Sequence, residues 1–228
     1  MESSSRTGGR RLGRAFFDRP TSRVARDLLD AELHVAGPSG PRTVRIVEVE
    51  AYGPNDPASH AFRGPTQRNR SMFGPPGTLY VYRIHQVVCA NLVTRRGEAV
   101  LLRAGAPVET AEGSPSGPGR LCRFLGIEWA DDGLNVTKGG RVYLTWARPG
   151  SPRFPVLRSS RVGISRAVDR PHRFSAAGSP WVSRPRPARP ISEASPSRSR
   201  AVGGSPRTRT RNTPLSGGGT SGDRSAGR

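Results

Sequence analysis

The sequence predicts an α+β fold: a single domain whose β-sheet is largely antiparallel. Two observations carry the prediction. Five apolar runs with strand character fall between residues 43 and 146, several separated by only a few residues. Only two segments, 20–33 and 117–127, have helical character, too few for the crossovers that a parallel sheet requires. A third observation sets the limits. Both cysteines and all three tryptophans lie within residues 14–183, and the chain changes character on either side.

Residues 1–13, "MESSSRTGGRRLG", read as a flexible leader. "PTSRVARDLLDAEL" (20–33) reads as an amphipathic helix, with Val24, Ala25, Leu28 and Leu29 on one stripe and Thr21 or Ser22 able to cap it. The first strand, 43–51, alternates β-branched residues. "GPPGT" (74–78) is a turn that introduces strands at 78–84, 86–94 and 98–104. "GPGRLCRFLGI" (117–127) opens with glycines and continues as a short helix, and 141–146 is the last strand. Residues 184–228 are rich in Arg, Ser, Pro, Gly and Thr and contain no aromatic. Such a segment buries too little apolar surface to offset its ordering entropy, so a disordered basic tail is expected.

The formal net charge is +20, almost all from arginine, since Lys138 is the only lysine. The tail holds ten arginines against Glu193 and Asp223, so the domain is basic without it. A polyanionic partner fits this balance, most simply nucleic acid; the alternative is an arginine bias of base composition without functional meaning. Cys89 and Cys122 sit in apolar surroundings without zinc-type spacing and read as core residues in a reducing compartment. No apolar stretch approaches the ~20 residues of a membrane span, and the start lacks a signal-peptide core. A cytoplasmic protein is expected, nucleoid-associated if bacterial.

The strand at 43–51 contains "VEVEAY" (47–52). Regular alternation puts Val44, Ile46, Glu48 and Glu50 on one face, with the carboxylates about 6.6 Å apart along the strand. A strand running out into solvent would explain the pair without function. Asp56 and His60 are four residues apart, but a third ligand at a recognisable spacing is missing, so no metal site is predicted.

"FFDRP", "VEVEAY", the His60 loop, "RNRSMFGPPGTLYVY", "CAN", "AVLLRAG", "SGPGRLC", "RVGI" and "GSPWVS" follow one another between residues 16 and 183. In this order they resemble the alkyladenine (3-methyladenine) DNA glycosylase family. The resemblance implies a curved sheet flanked by helices and a monomeric, monofunctional enzyme without cofactor or metal. Its partner would be double-stranded DNA. It would flip out damaged purines (3-methyladenine, other alkylpurines, with hypoxanthine and ethenoadenine as further candidates) and hydrolyse the N-glycosidic bond, leaving an abasic site.

Carried over by position, the resemblance makes Glu50 the general base that activates water at the sugar C1′. It gives Glu48 no catalytic part. Tyr52, His60 and Tyr82 match the aromatic walls of the base pocket, and stacking there returns about 1–3 kcal/mol per base. Asn91 matches the pocket floor, where its amide crowds the 2-amino group of guanine. Arg103 matches the arginine that helps place the water and the target phosphate, and Val162 the position whose backbone carbonyl completes the water site. Taken singly, Tyr82 is an ordinary strand aromatic, Asn91 a buried amide and Arg103 a strand end.

Two departures stand out. The hairpin after "LYVY" reads "RIHQVV" and lacks the family's intercalating tyrosine, leaving Ile84 or His85 as the DNA wedge. The connection from Val108 to Gly117 is short and lacks an arginine-rich segment. Two competing readings remain: a catalytically impaired DNA-binding homologue, and a glycoside hydrolase using Glu48 and Glu50. The charge and the scarcity of aromatics disfavour the latter.

Overall fold

The computed structural model describes residues 9–187, apart from 39, 111, 148, 149 and 152. Among these residues, β1 (Glu32–Gly37), β2 (Gly40–Tyr52), β3 (Leu79–Ile84), β4 (Val87–Arg95), β5 (Glu98–Pro107), β6 (Val142–Thr145), β7 (Val156–Ser159) and β8 (Arg173–Ala176) form one sheet. Six strands run side by side in the order β3-β4-β5-β2-β1-β6, while β8 joins β2 and β7 joins β8. Every pairing is antiparallel, as the sequence predicts, and the sheet curves into a half-barrel.

The long strand β2 organises the domain. One edge pairs with β5; the other is shared between β1, against residues 40–45, and β8, against 48–50. Where the partner changes, the register against β5 slips on both sides of Glu48. Such a bulge breaks the two-residue alternation. Val44 and Ile46 therefore share the main core with Val49 and Ala51, not a face with Glu48 and Glu50 as regular alternation predicts. Val47 packs elsewhere, with Ala104, Ala176 and Val182.

Among the described residues three α-helices accompany the sheet: α1 (Arg14–Phe17), α2 (Thr21–Leu28) and α3 (Pro118–Leu125). Apolar residues of α2 and α3 (Val24, Leu28, Leu121 and Leu125 among them) pack on the inner residues of β2–β5 to form the main core. The helix expected over 20–33 stops at Leu28. Asp30 turns into the left-handed region (φ 73°), its N–H donates to the Ile46 carbonyl at 3.0 Å, and Glu32 already belongs to β1. Thr21 does not cap α2; its hydroxyl is spent on Thr94 and Glu98. α3 follows the ordinary rules, with Pro118 in its first turn and Gly126 left-handed at its end.

The domain extends beyond both boundaries read from the sequence. Leu12 is buried, its N–H donates to the Leu144 carbonyl at 2.9 Å, and Arg11 bridges to Thr145. Part of the expected leader is thus an edge of the domain; residues 1–8 lie outside the described residues. At the other end, Arg173 Nη1 donates to the Pro185 carbonyl at 2.8 Å. The remaining tail, 188–228, lies outside the described residues. Both cysteines are buried and free. Among the described residues, no helix is long and apolar enough to cross a membrane.

Candidate active site

Packing the helices on one face of β2–β5 leaves the other face for polar work. Register carries Tyr80 to Asn91, Asn91 to Leu101, Leu101 to Glu50 and Glu50 to Arg173, one row across five strands. Tyr82, Cys89 and Arg103 lie two residues along from members of that row, on the same face.

Glu50 is fully buried. Its Oε1 accepts the Val162 N–H at 2.8 Å and lies 3.4 Å from Arg103 Nη1; its Oε2 accepts the Tyr52 hydroxyl at 3.0 Å. Burial, with Glu50 beside it, pushes the Tyr52 phenol well above the ordinary tyrosine range, so Tyr52 remains a donor. A buried carboxylate persists only with such partners.

Glu48 is also fully buried but differently employed. Its Oε1 accepts from Arg173 Nε at 2.7 Å, Ser183 Oγ at 2.9 Å and Arg103 Nε at 3.0 Å, and its Oε2 from the Ser183 N–H at 2.6 Å. This carboxylate joins β2, β5 and β8 to the "GSPWVS" segment and has little capacity left for water. Arg103 stands between the two glutamates and reaches Ser183 Oγ with Nη2 at 3.3 Å. That arrangement does not suit a glycoside hydrolase, whose two carboxyls face each other across a substrate.

A second buried ion pair fixes the flanking loops. Arg161 forks onto Asp56, with Nη2 3.0 Å from Oδ1 and Nη1 on Oδ2, and also donates to the Ala51 carbonyl at 3.1 Å. Its guanidinium lies 4.6 Å from the centre of the Tyr52 ring. Burial opposes ionisation of Asp56, yet the Arg161 and Ala58 hydrogen bonds carry its pKa below the ordinary range. Asp56, weighed from sequence as half of a metal pair, is this arginine's counter-ion.

These elements enclose an inner cavity of about 490 Å³. Tyr52, His60, Tyr82, Asn91, Arg103 and Val162, six of the residues singled out by sequence, all line it. Glu50 lies behind this wall, bonded to three of its members. Cys89 lines the same cavity, so it is a wall residue as well as a core one. Ile84 lines both this cavity and a larger outer basin that adjoins it and is half exposed, whereas His85 lines neither and occupies the hairpin turn with φ 51°.

Sequence reasoning missed Tyr80, whose hydroxyl is 3.0 Å from His60 Nδ1 and whose pKa is pushed up to about 12 by burial and Asp132. Its two-residue spacing from Tyr82 was the available signal. The rings of His60 and Tyr82 meet edge to face at 4.5 Å. Asn69 shapes the His60 loop by donating to the His60 and Gly64 carbonyls at 2.8 and 3.1 Å.

Burial holds His60 below the ordinary histidine range, and burial with Arg161 does the same for His172. As pH falls below the unfolded value of about 6.5, the unfolded chain takes up protons that the folded chain refuses. Stability is therefore full above that pH and declines as pH drops toward the depressed folded values. Thermal melts from about pH 7.5 to 5 should show this decline, and a His60→Asn/His172→Asn variant should flatten it. An unaltered decline would assign it to other groups.

Comparison with known proteins places the chain in a family. A relative from Rhizobium etli is 40% identical over 185 residues, covering 75% of this chain and 88% of its own. One from Anaeromyxobacter dehalogenans is 45% identical over 186 residues (78% and 87%), and one from Methanocella arvoryzae 42% identical over 197 (77% and 97%). All three carry the name "Putative 3-methyladenine DNA glycosylase". The profile of the methylpurine-DNA glycosylase family matches residues 15–180, most of the domain just described, and the chain belongs to that family.

Proposed function

We propose that this protein is a monofunctional DNA glycosylase. It receives a damaged purine nucleotide, flipped out of duplex DNA, in the inner cavity and hydrolyses its N-glycosidic bond with a water activated by Glu50. The observation that carries this reading is Glu50 itself: a buried carboxylate held by Val162, Tyr52 and Arg103 behind an aromatic-walled cavity. The water oxygen bonds to C1′, the C1′–N bond breaks with its electrons leaving on the base, and Glu50 takes the water proton. A cationic alkylpurine leaves as a neutral base and needs no acid, whereas a neutral base such as hypoxanthine leaves as an anion that takes a proton from solvent. The relatives' name, a 3-methyladenine DNA glycosylase, fits this substrate class.

Tyr52, His60 and Tyr82 supply stacking surfaces that offset the few kcal/mol of extrusion. Asn91, whose Nδ2 donates to the Tyr80 carbonyl at 3.1 Å, forms a fixed floor. The three Arg103 nitrogens are turned to Glu48, Glu50 and Ser183, which supports a role in orienting Glu50 more than in holding a phosphate. The Val162 carbonyl is proposed as the second holder of the water. No lysine lines either cavity, which favours hydrolysis over a Schiff-base lyase.

A duplex carrying one hypoxanthine or alkylpurine, treated with enzyme and then with or without alkali, tests the proposal. Strand breaks only after alkali are expected. Breaks without alkali would indicate a lyase, and none in either arm would leave a DNA-binding homologue.

Ile84 is proposed as the wedge, since it is half exposed at the cavity mouth. Unstacking costs less at a mispair, so Ile84→Ala should lose more single-turnover activity on a paired hypoxanthine than on a mispaired one. His85→Ala should lose less than Ile84→Ala. Equal losses on both substrates would put the wedge elsewhere.

The tail contributes charge. Removing residues 188–228 should make the slope of log affinity against log salt shallower, with excision at saturating enzyme unchanged. A large fall in the saturated rate would contradict this.

A further inference from the structure

The proposed reaction leaves the outer part of one surface unused. An outer basin of about 860 Å³ adjoins the inner cavity and shares His60, Tyr80, Tyr82 and Ile84 with it. Its lining includes Arg63, Arg68, Arg83 and Arg166 and no carboxylate. All four arginines are exposed, and none forms an ion pair among the described residues. Among them stand Phe62, Ile84 and Trp129, 49%, 50% and 45% exposed. Apolar side chains gathered at one basic basin add little to the core and mark a binding surface.

The backbone that carries the two aromatics is also held in place. Phe62 lies in the loop pinned by Asn69, and Trp129 opens a 3-10 turn (Trp129–Asp131) braced by Glu128 and Asp131. A ring on a pinned backbone loses less freedom when a flat partner stacks on it than one on a loose loop. Unpaired guanidinium groups around exposed rings are what a single nucleic-acid strand requires: phosphates for the charges, bases for the faces.

We propose that the outer basin is a second base-binding subsite, in which an unpaired nucleotide next to the flipped one stacks on Phe62 and Trp129 while the arginines hold its phosphates. The occupant is single-stranded DNA, because a base still stacked in a duplex has no free face to offer. Adjacency to the flipped nucleotide rests on the reading of the inner cavity; the subsite itself does not, and an unmodified strand tests it.

The experiment uses the full chain and a short lesion-free oligothymidine, followed by anisotropy across a salt series and by tryptophan fluorescence. Binding should quench Trp129 emission. Phe62→Ala and Trp129→Ala should each weaken binding by roughly 5- to 100-fold without changing the salt slope. Trp129→Phe should retain most of the affinity, whereas Arg68→Ala should make the slope shallower by about 0.7. Duplex DNA of the same sequence should lose little affinity in either alanine variant. Where an alanine variant melts early, Phe62→Leu and Trp129→Leu replace it. Wild-type affinity in these variants, equal losses on duplex, or binding without quenching would overturn the proposal. If the strand binds as expected while lesion duplexes are never cleaved, the subsite stands and the reading of the inner cavity fails.

Discussion

Glu50→Gln is expected to abolish most base excision, by at least about 10²-fold, while lesion DNA still binds. Glutamine has the same shape and keeps an oxygen for the Val162 N–H, which reaches Oε1 at 2.8 Å in the native protein. It cannot accept the proton of an attacking water or offset positive charge growing at C1′. The walls of the cavity (Tyr52, His60, Tyr82) do not change, so affinity measured by titration should stay close to the native value. The loss belongs in the single-turnover rate at saturating enzyme. A variant that excises normally would remove Glu50 from the chemistry.

Glu48→Gln is expected to cost stability before it costs chemistry. Glu48 is the shared counter-ion of Arg103 and Arg173, which are 6% and 2% exposed. Removing one member of a buried charged group strands the others and typically costs about 3–5 kcal/mol. For a domain of this size that is roughly 6–20 °C in melting midpoint. Arg103 keeps Glu50 as a partner, so well below the new midpoint the variant should retain most of its excision rate. A normal melt with lost excision would reverse the roles assigned to the two glutamates.

The difference between these neighbours shows how far the sequence could be read. Alternation located β2 and put Glu48 and Glu50 together, but it could not reveal the bulge at Glu48, because a bulge is a property of two paired strands. Without it, both carboxylates would face the helices. The periodic part of "PTSRVARDLLDAEL" is helix, and the overrun into 29–33 arose because β2 and β6 claim the residues of β1. Strands β7 and β8 have four residues each and, unlike the equally short β6 (VYLT), carry an arginine within that span, so no apolar run marked them. The pocket residues were legible from motif order; Arg161, within the quoted "RVGI", and Tyr80, within "LYVY", needed their partners Asp56 and His60 before their use was visible.

The most direct test of the account is one experiment at one temperature. Free base released from a duplex carrying a single hypoxanthine or alkylpurine is followed under single-turnover conditions for native protein, Glu48→Gln and Glu50→Gln, at equal occupancy and below every melting midpoint. The account predicts stoichiometric release by native protein, a similar rate for Glu48→Gln, and a rate lower by at least about 10²-fold for Glu50→Gln. No release by native protein, or a Glu48→Gln variant that is dead beside an active Glu50→Gln, would contradict it.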